Sequence, residues 1–261
     1  MSDTSATGRQ TIDSLVGEAR GIRGDARAAG RILPLLDLTS LGGSESEADI
    51  DRLCRKAVAH AVAAVCIHDR HLPQARGLLA GSDVALATVI AFPDGGDDIL
   101  KAADDSAAAV ADGADEIDVV APLDAALSGD IELAGELVES CRAAVGPDVR
   151  IKLILETGRL ADGALITAVA RSAVMAGVDF LKTSTGRIPV GATLEAAALL
   201  LAVIQEAEGR VGLKLSGGVR TTDDAAAYLH LADRVMGEEW VTRDRLRFGA
   251  SGLLDDLLAR R

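Results

Sequence analysis

Lysine is scarce in this chain, five residues against twenty-two arginines, and three of the five stand inside short apolar runs. Lys152 lies in Val-Arg-Ile-Lys-Leu-Ile-Leu, Lys182 in Asp-Phe-Leu-Lys-Thr and Lys214 in Gly-Leu-Lys-Leu. A lysine carried into such a run loses its hydration, which is costly unless it sheds its proton or gains an anionic neighbour. Once its pKa is depressed it acts as a neutral amine, which arginine cannot do. Lys56 and Lys101 fall in helical stretches and read as solvated side chains.

Acids accompany these amines. Asp118 lies in Ala-Asp-Glu-Ile-Asp-Val-Val, Asp37 in Leu-Leu-Asp-Leu-Thr-Ser-Leu, and Glu156 follows the Lys152 run in Leu-Glu-Thr-Gly. A carboxylate in an apolar strand costs several kcal/mol unless it is paired. Asp118 therefore reads either as the proton shuttle beside a reactive amine or as a structural partner of one lysine. Lys152 is expected to pair with Asp37. Asp115 and Glu116, nearer the strand start, read as capping or surface residues. Three Gly-bearing turns follow: Ser-Thr-Gly-Arg at 184–187, Ser-Gly-Gly-Val-Arg at 216–220 and Gly-Ala-Ser-Gly at 249–252. Turns of this kind bind phosphate through backbone N–H groups and helix N-termini. That makes Gly186, Gly217, Gly218 and Ser251 candidate phosphate ligands, with Arg187 either adding charge there or lying solvated.

The elements that must position these residues alternate. Strands are expected at Ile32–Leu38, Ala63–Ile67, Val84–Ile90, Glu116–Val120, Val149–Leu155, Val178–Lys182, Arg210–Leu215 and Arg245–Gly249. Helices are expected near 46–60, 70–80, 97–112, 131–144, 162–176, 193–207, 222–232 and 252–260, from apolar residues at three- and four-residue spacing. Pro147, Gly113, Gly146 and Gly177 suit helix ends, and Thr193 and Thr221 or Thr222 suit N-caps. Eight strands and eight helices in strict alternation fit an α/β fold, a closed (β/α)8 TIM barrel, over a single domain at 31–261. A doubly wound open sheet is the rival, but no Gly-rich phosphate turn follows the first strand. Residues 1–30 read as a polar extension with one short helix around Ile12 to Glu18.

Composition narrows the function classes. Asp and Glu number 40 against 27 Lys and Arg, a formal charge of −13, and aromatics are 2%. Nucleic-acid binding needs a dense basic face or stacking platforms, so it is not expected. No apolar run approaches the ~20 residues of a membrane span. The three cysteines, Cys54, Cys66 and Cys141, show no CxxC spacing, so a reducing cytoplasmic setting is expected.

Six segments carry a family resemblance: Leu-Asp-Leu-Thr at 36–39, Asp-Glu-Ile-Asp-Val-Val at 115–120, Lys-Leu-Ile-Leu-Glu-Thr-Gly at 152–158, Lys-Thr-Ser-Thr-Gly at 182–186, Lys-Leu-Ser-Gly-Gly-Val-Arg-Thr at 214–221 and Arg-Phe-Gly-Ala-Ser at 247–251. In this order they resemble the deoxyribose-phosphate aldolases, from about residue 32 to the last helix. The resemblance implies a class I aldolase on a TIM barrel that interconverts 2-deoxy-D-ribose 5-phosphate with D-glyceraldehyde 3-phosphate and acetaldehyde. By motif position it makes Lys182 the Schiff-base lysine, and Asp118 and Lys214 the proton donor/acceptor pair, with Asp37, Lys152 and Thr39 in support. An imine forms only from the free amine, and at an unperturbed pKa near 10.4 only ~0.04% is neutral at pH 7. Repulsion from Lys214, helped by burial, is expected to depress that value. The resemblance suggests a homodimer. Gly252 stands where many relatives have a second Ser or Thr, Leu215 replaces a small residue or Pro, and the chain ends in Ala-Arg-Arg without a Tyr-bearing tail. No cofactor or metal is expected. A metal-dependent aldolase using His68 and His71, and a non-catalytic sugar-phosphate-binding barrel, are the alternatives.

Overall fold

Strands that are apolar on both faces need cover on both sides, and a closed barrel inside a ring of helices supplies it. The computed structural model describes residues 4–261, with side-chain surroundings from residue 12 onward. Its parallel strands are β1 (Leu36–Ser40), β2 (Ala64–Ile67), β3 (Ala85–Ile90), β4 (Glu116–Val120), β5 (Arg150–Ile154), β6 (Phe180–Lys182), β7 (Gly212–Ser216) and β8 (Leu246–Ala250). They close in sequence order, with β8 paired to β1. The chain is the expected TIM barrel.

The eight expected helices are present, and two short ones outside the expected alternation, Leu123–Leu127 and Thr157–Leu160, follow β4 and β5. Thr193 caps Leu194–Glu206 by accepting from the Ala196 N–H. Thr221 and Asp224 form a capping box at the start of Thr222–Met236, which runs on until Gly237 turns left-handed at φ 89°. The first expected strand is where the sequence misleads. Ile32 ends a helix, Ala26–Ile32, and Leu33–Leu35 form a 3-10 turn around Pro34 before β1 begins at Leu36. Proline has no N–H to give a sheet ladder, and its fixed φ suits the first turn of a helix.

The N-terminal extension also differs from expectation. Its residues 1–3 lie outside the described residues, and the rest holds two helices, Thr4–Arg20 and Ala26–Ile32. Thr4–Arg20 packs on Leu194–Glu206 and Thr222–Met236, with Val16 and Ala19 buried. Arg31 adds a two-pronged ion pair to Asp233, at 2.7 and 2.6 Å. The polar composition hid an apolar stripe only two turns long. Among the described residues no helix is long and apolar enough to cross a membrane.

The main apolar cluster lies between strands and helices, fed by outward residues such as Leu38, Val65, Ile117, Leu153, Leu213 and Phe248. Inside the barrel the apolar group is small: Leu41, Cys66, Ala87 and Val89, with Phe92 against it. Beside it stand the buried charged residues Asp37, Glu116, Asp118, Lys152, Lys182, Lys214 and Arg247. Thr221 caps a helix of the outer layer, so Thr221→Ala should cost about 1 kcal/mol in urea denaturation, the value of a lost cap.

Candidate active site

Period-two alternation aims Glu116 and Asp118 of β4, Lys152 of β5, Phe180 and Lys182 of β6, Lys214 of β7, Arg247 of β8 and Asp37 of β1 into the barrel. Register sets them beside one another, with Asp118 opposite Lys152, Lys182 opposite Lys214 and Lys214 opposite Arg247. Glycines make room for the long side chains. A Cβ at Gly212 would fall 2.4 Å from the Phe180 ring, and one at Gly249 would fall 3.0 Å from Lys214 Cε.

Six of these groups join in a closed ring of alternating charge. Arg247 donates to Asp37 Oδ1 at 2.6 Å and to Glu116 Oε1 at 2.9 Å. Lys152 Nζ lies 2.7 Å from Glu116 Oε2 and 2.6 Å from Asp118 Oδ1. Lys214 Nζ lies 2.7 Å from Asp118 Oδ2 and 2.6 Å from Asp37 Oδ2, which completes the ring. Lys182 stands apart: its only carboxylate contact among these is Asp118 Oδ2, at 2.8 Å, an oxygen it shares with Lys214.

Charge balance then separates the amines. Three carboxylates face three bridging cations, so the cluster is neutral when Lys182 carries no proton. Burial pushes the Lys182 pKa down; Asp118 opposes this, and Lys214 adds to the lowering. Burial would lower Lys214 as well, but Asp118 and Asp37 hold it well above the usual lysine range. Burial would raise Asp118, yet Lys152, Lys182 and Lys214 hold its carboxyl well below the usual carboxylate range. Burial leads the lowering at Lys182, with Lys214 second.

Lys182 and Lys214 open into a cavity of about 460 Å³ at the C-terminal ends of the strands. Thr39, Gly186, Arg187, Gly217, Gly218 and Ser251 line the same cavity, whereas Asp37, Asp118 and Lys152 sit beneath it. The turns are packed backbone to backbone: Gly217 has φ +80°, and a Cβ there would lie 2.9 Å from the Gly191 Cα. Ser251 immediately precedes the Gly252 N-cap of Leu253–Arg260. Arg187 is not free in solvent, since it donates to the Leu41 carbonyl and stacks 5.6 Å from the Phe92 ring centroid. Glu156 lies buried behind the turn after β6, accepting from the Thr185 N–H and hydroxyl. His68 Nε2 donates to the Leu41 carbonyl, and His71 accepts from Arg70. Among the described residues no three His, Cys, Asp or Glu side chains stand together as metal ligands.

Two expectations need correction. Lys152 does not pair with Asp37, because β5 and β1 lie on opposite sides of an eight-stranded ring and the carboxylates of neighbouring β4 reach Lys152 first. Glu116 is not a surface residue: it is 2% exposed and held by Lys152 and Arg247. Asp115 does take the ordinary role, binding Arg76 and accepting from the Leu86 N–H. Sequence reasoning also missed Arg247, and Arg220 and Glu45 on the cavity wall. Arg247 carries the signal that exposed the lysines, a cation within an apolar strand. Glu116 is two residues from Asp118 and so shares its face. Lys152→Leu would leave Glu116 and Asp118 buried with one cation fewer, so urea denaturation should show a loss of about 3–5 kcal/mol.

A model of the DeoC/LacD family aldolases matches residues 32–257. A Coccidioides immitis protein provisionally named a deoxyribose-phosphate aldolase has a similar structure, with a TM-score of 0.78, 24% identity and coverage of 99% of this chain and 98% of that one. The deoxyribose phosphate aldolase of Aeropyrum pernix, described as a unique tetramer, gives a TM-score of 0.72 at 23% identity over 90% of this chain and 95% of that one. A third structure, titled QR15, an aldolase, reaches 28% identity with a TM-score of 0.73 over 88% and 96% of the two chains. With the family model spanning most of the barrel, this chain belongs to the DeoC/LacD family of aldolases.

Proposed function

We propose that this aldolase works through a lysine Schiff base at Lys182 and cleaves 2-deoxy-D-ribose 5-phosphate to D-glyceraldehyde 3-phosphate and acetaldehyde, in deoxyribonucleoside breakdown in the cytoplasm. The observation that carries the reading is the bonding of the four buried cations. Three of them bridge two carboxylates each, and Lys182 alone holds a single shared oxygen while facing the cavity. The Gly186, Gly217, Gly218 and Ser251 turns, with Arg187, stand on the same cavity and suit a phosphate at the far end of the substrate.

The chemistry follows from those positions. The neutral Lys182 amine attacks the open-chain aldehyde carbon, and the carbinolamine loses water to give a protonated imine. Lys214, held charged, donates toward the departing hydroxyl, and the Asp118 carboxylate receives the amine proton, directly or through water. Asp118 passes that proton on to the leaving oxygen, so water departs with both. The substrate hydroxyl on the second carbon from the imine carbon then gives its proton to the Lys214 amine left free by its donation, and the bond between that carbon and the one next to the imine breaks. The electron pair enters the imine as an enamine, and glyceraldehyde phosphate leaves. Protonation of the enamine carbon and hydrolysis release acetaldehyde and restore the amine.

Borohydride reduction in the presence of acetaldehyde, followed by peptide mass mapping, tests this. An ethyl adduct on Lys182 is expected, lost in Lys182→Leu and weakened in Lys214→Leu, with turnover of 2-deoxy-D-ribose 5-phosphate lost in Lys182→Leu. An adduct on Lys214 or Lys152 would keep the imine and overturn the assignment. No adduct from folded protein would overturn the mechanism.

A further inference from the structure

Four members of the ring, Asp37, Glu116, Lys152 and Arg247, touch neither the cavity nor Lys182. Of these, Glu116 and Arg247 also make no ion pair with Asp118 or Lys214. Arg247 crosses the barrel floor from β8 to hold Asp37 of β1 and Glu116 of β4, and its guanidinium lies 5.6 Å from the Phe180 ring centroid. Glu116 joins Arg247 to Lys152, which passes the contact on to Asp118. The Glu116 and Arg247 side chains are nearly unexposed, and a further cation against Glu116, Arg150 at 3.5 Å, is itself paired with Asp244 at 2.5 Å. An ion pair kept there for stability alone has little physical justification, since apolar side chains of similar volume serve a buried floor as well or better.

We infer that Glu116 and Arg247 are positioning residues of the reaction: they set the net charge against which Lys182 gives up its proton, and they lock the carboxylates that Lys214 bridges. The inference rests on the reading of Lys182 as the imine-forming amine. The charged and titratable groups facing that amine from the surrounding strands are Asp118, Lys214, Lys152 and the Cys66 thiol, which burial keeps protonated. Asp37, Glu116 and Arg247 lie in the ring beneath, while Arg187, Arg220 and Glu45 stand on the cavity wall. Of these, Glu116 and Arg247 can be changed without removing any direct contact of Lys182.

Their removal must act in opposite directions. Glu116→Gln keeps the shape but leaves three cations over two carboxylates, so protonated Lys182 becomes harder to tolerate. Its titration should fall, by on the order of one pH unit for a unit charge at an effective dielectric of about 20. Arg247→Gln leaves two cations over three carboxylates, and the titration should rise by a similar amount. Glu116→Gln combined with Arg247→Gln restores neutrality and should return the curve close to that of the parent. Arg247→Lys, which keeps the charge, should leave it near the parent.

The measurement is the yield of borohydride-trapped ethyl adduct on Lys182 across pH, because only the free amine forms it. Opposite shifts in the single variants and a restored curve in the double variant are the expected result. A merely structural pair would lower the yield at every pH, or move both curves the same way; either outcome overturns the inference and leaves the imine reading standing. If Arg247→Gln does not fold, Glu116→Gln alone must still move the curve to lower pH, and an unmoved curve overturns the inference. Absence of any adduct in the parent protein would instead defeat the imine reading beneath it.

Discussion

The Asp118 carboxylate, accepting from three lysines at once, is the constraint around which the barrel is arranged. An anion buried without solvent needs cations at contact distance, and Asp118 has Lys152 on one oxygen with Lys182 and Lys214 on the other. Two ammoniums on one oxygen repel each other. The repulsion is relieved when one loses its proton, and the second carboxylate contact of Lys214 decides which one does. The lowered pKa of Lys182 is thus led by burial, and the charge balance of the closed ring adds to it through Lys214.

Such a ring needs an enclosure that a typical barrel interior does not leave. TIM-barrel interiors are ordinarily filled by layers of branched apolar side chains. Here Gly212, Gly249, Ala64 and Ala87 thin those layers, leaving Phe180 on the β6 side and Leu41, Cys66, Val89 and Phe92 as apolar groups in the interior. The cost of burying six charges falls on the interior, while the apolar cluster between strands and helices holds the fold. The two lie on opposite faces of the strands, so the charged interior does not break into the apolar layer outside. The N-terminal helices extend the outer layer further, against Leu194–Glu206 and Thr222–Met236.

Much of this was legible in the sequence, for physical reasons. Strand and helix periods differ, so the alternation and its count came through, and a cation in an apolar run is conspicuous because it is costly. Lys182, Lys214 and Asp118 stand out in the sequence for that reason, and the Gly-rich turns bring Gly186, Gly217 and Gly218 to the cavity wall. Pairing was not legible. Which carboxylate a lysine meets depends on register and on which strands face each other across the barrel, so Lys152 was matched to Asp37 when Glu116 was one strand away. Glu116 was misread through its place near the strand start, although alternation sets it on the same face as Asp118. Pro34 and the short apolar stripe around Val16 misled for local reasons, a turn hidden inside an apolar run and a docked helix hidden inside a polar one.

The choice between lysine and arginine carries the same logic to the barrel floor. Arginine keeps its proton under any buried condition, so it suits a position where charge must be permanent, and Arg247 occupies the floor with its pKa held still higher by Asp37 and Glu116. Lysine suits positions where the proton has to move, and the lysines lie in the layers above, ending with Lys182 and Lys214 at the cavity. With twenty-two arginines to five lysines across the chain, a cation placed at random in the interior would be an arginine. Of the three lysines on consecutive strands, Lys152 and Lys214 are held charged by the carboxylates they bridge. Lys182 is the one whose pKa is lowered, by burial first, so the labile proton stands at the cavity beside charges held by their partners.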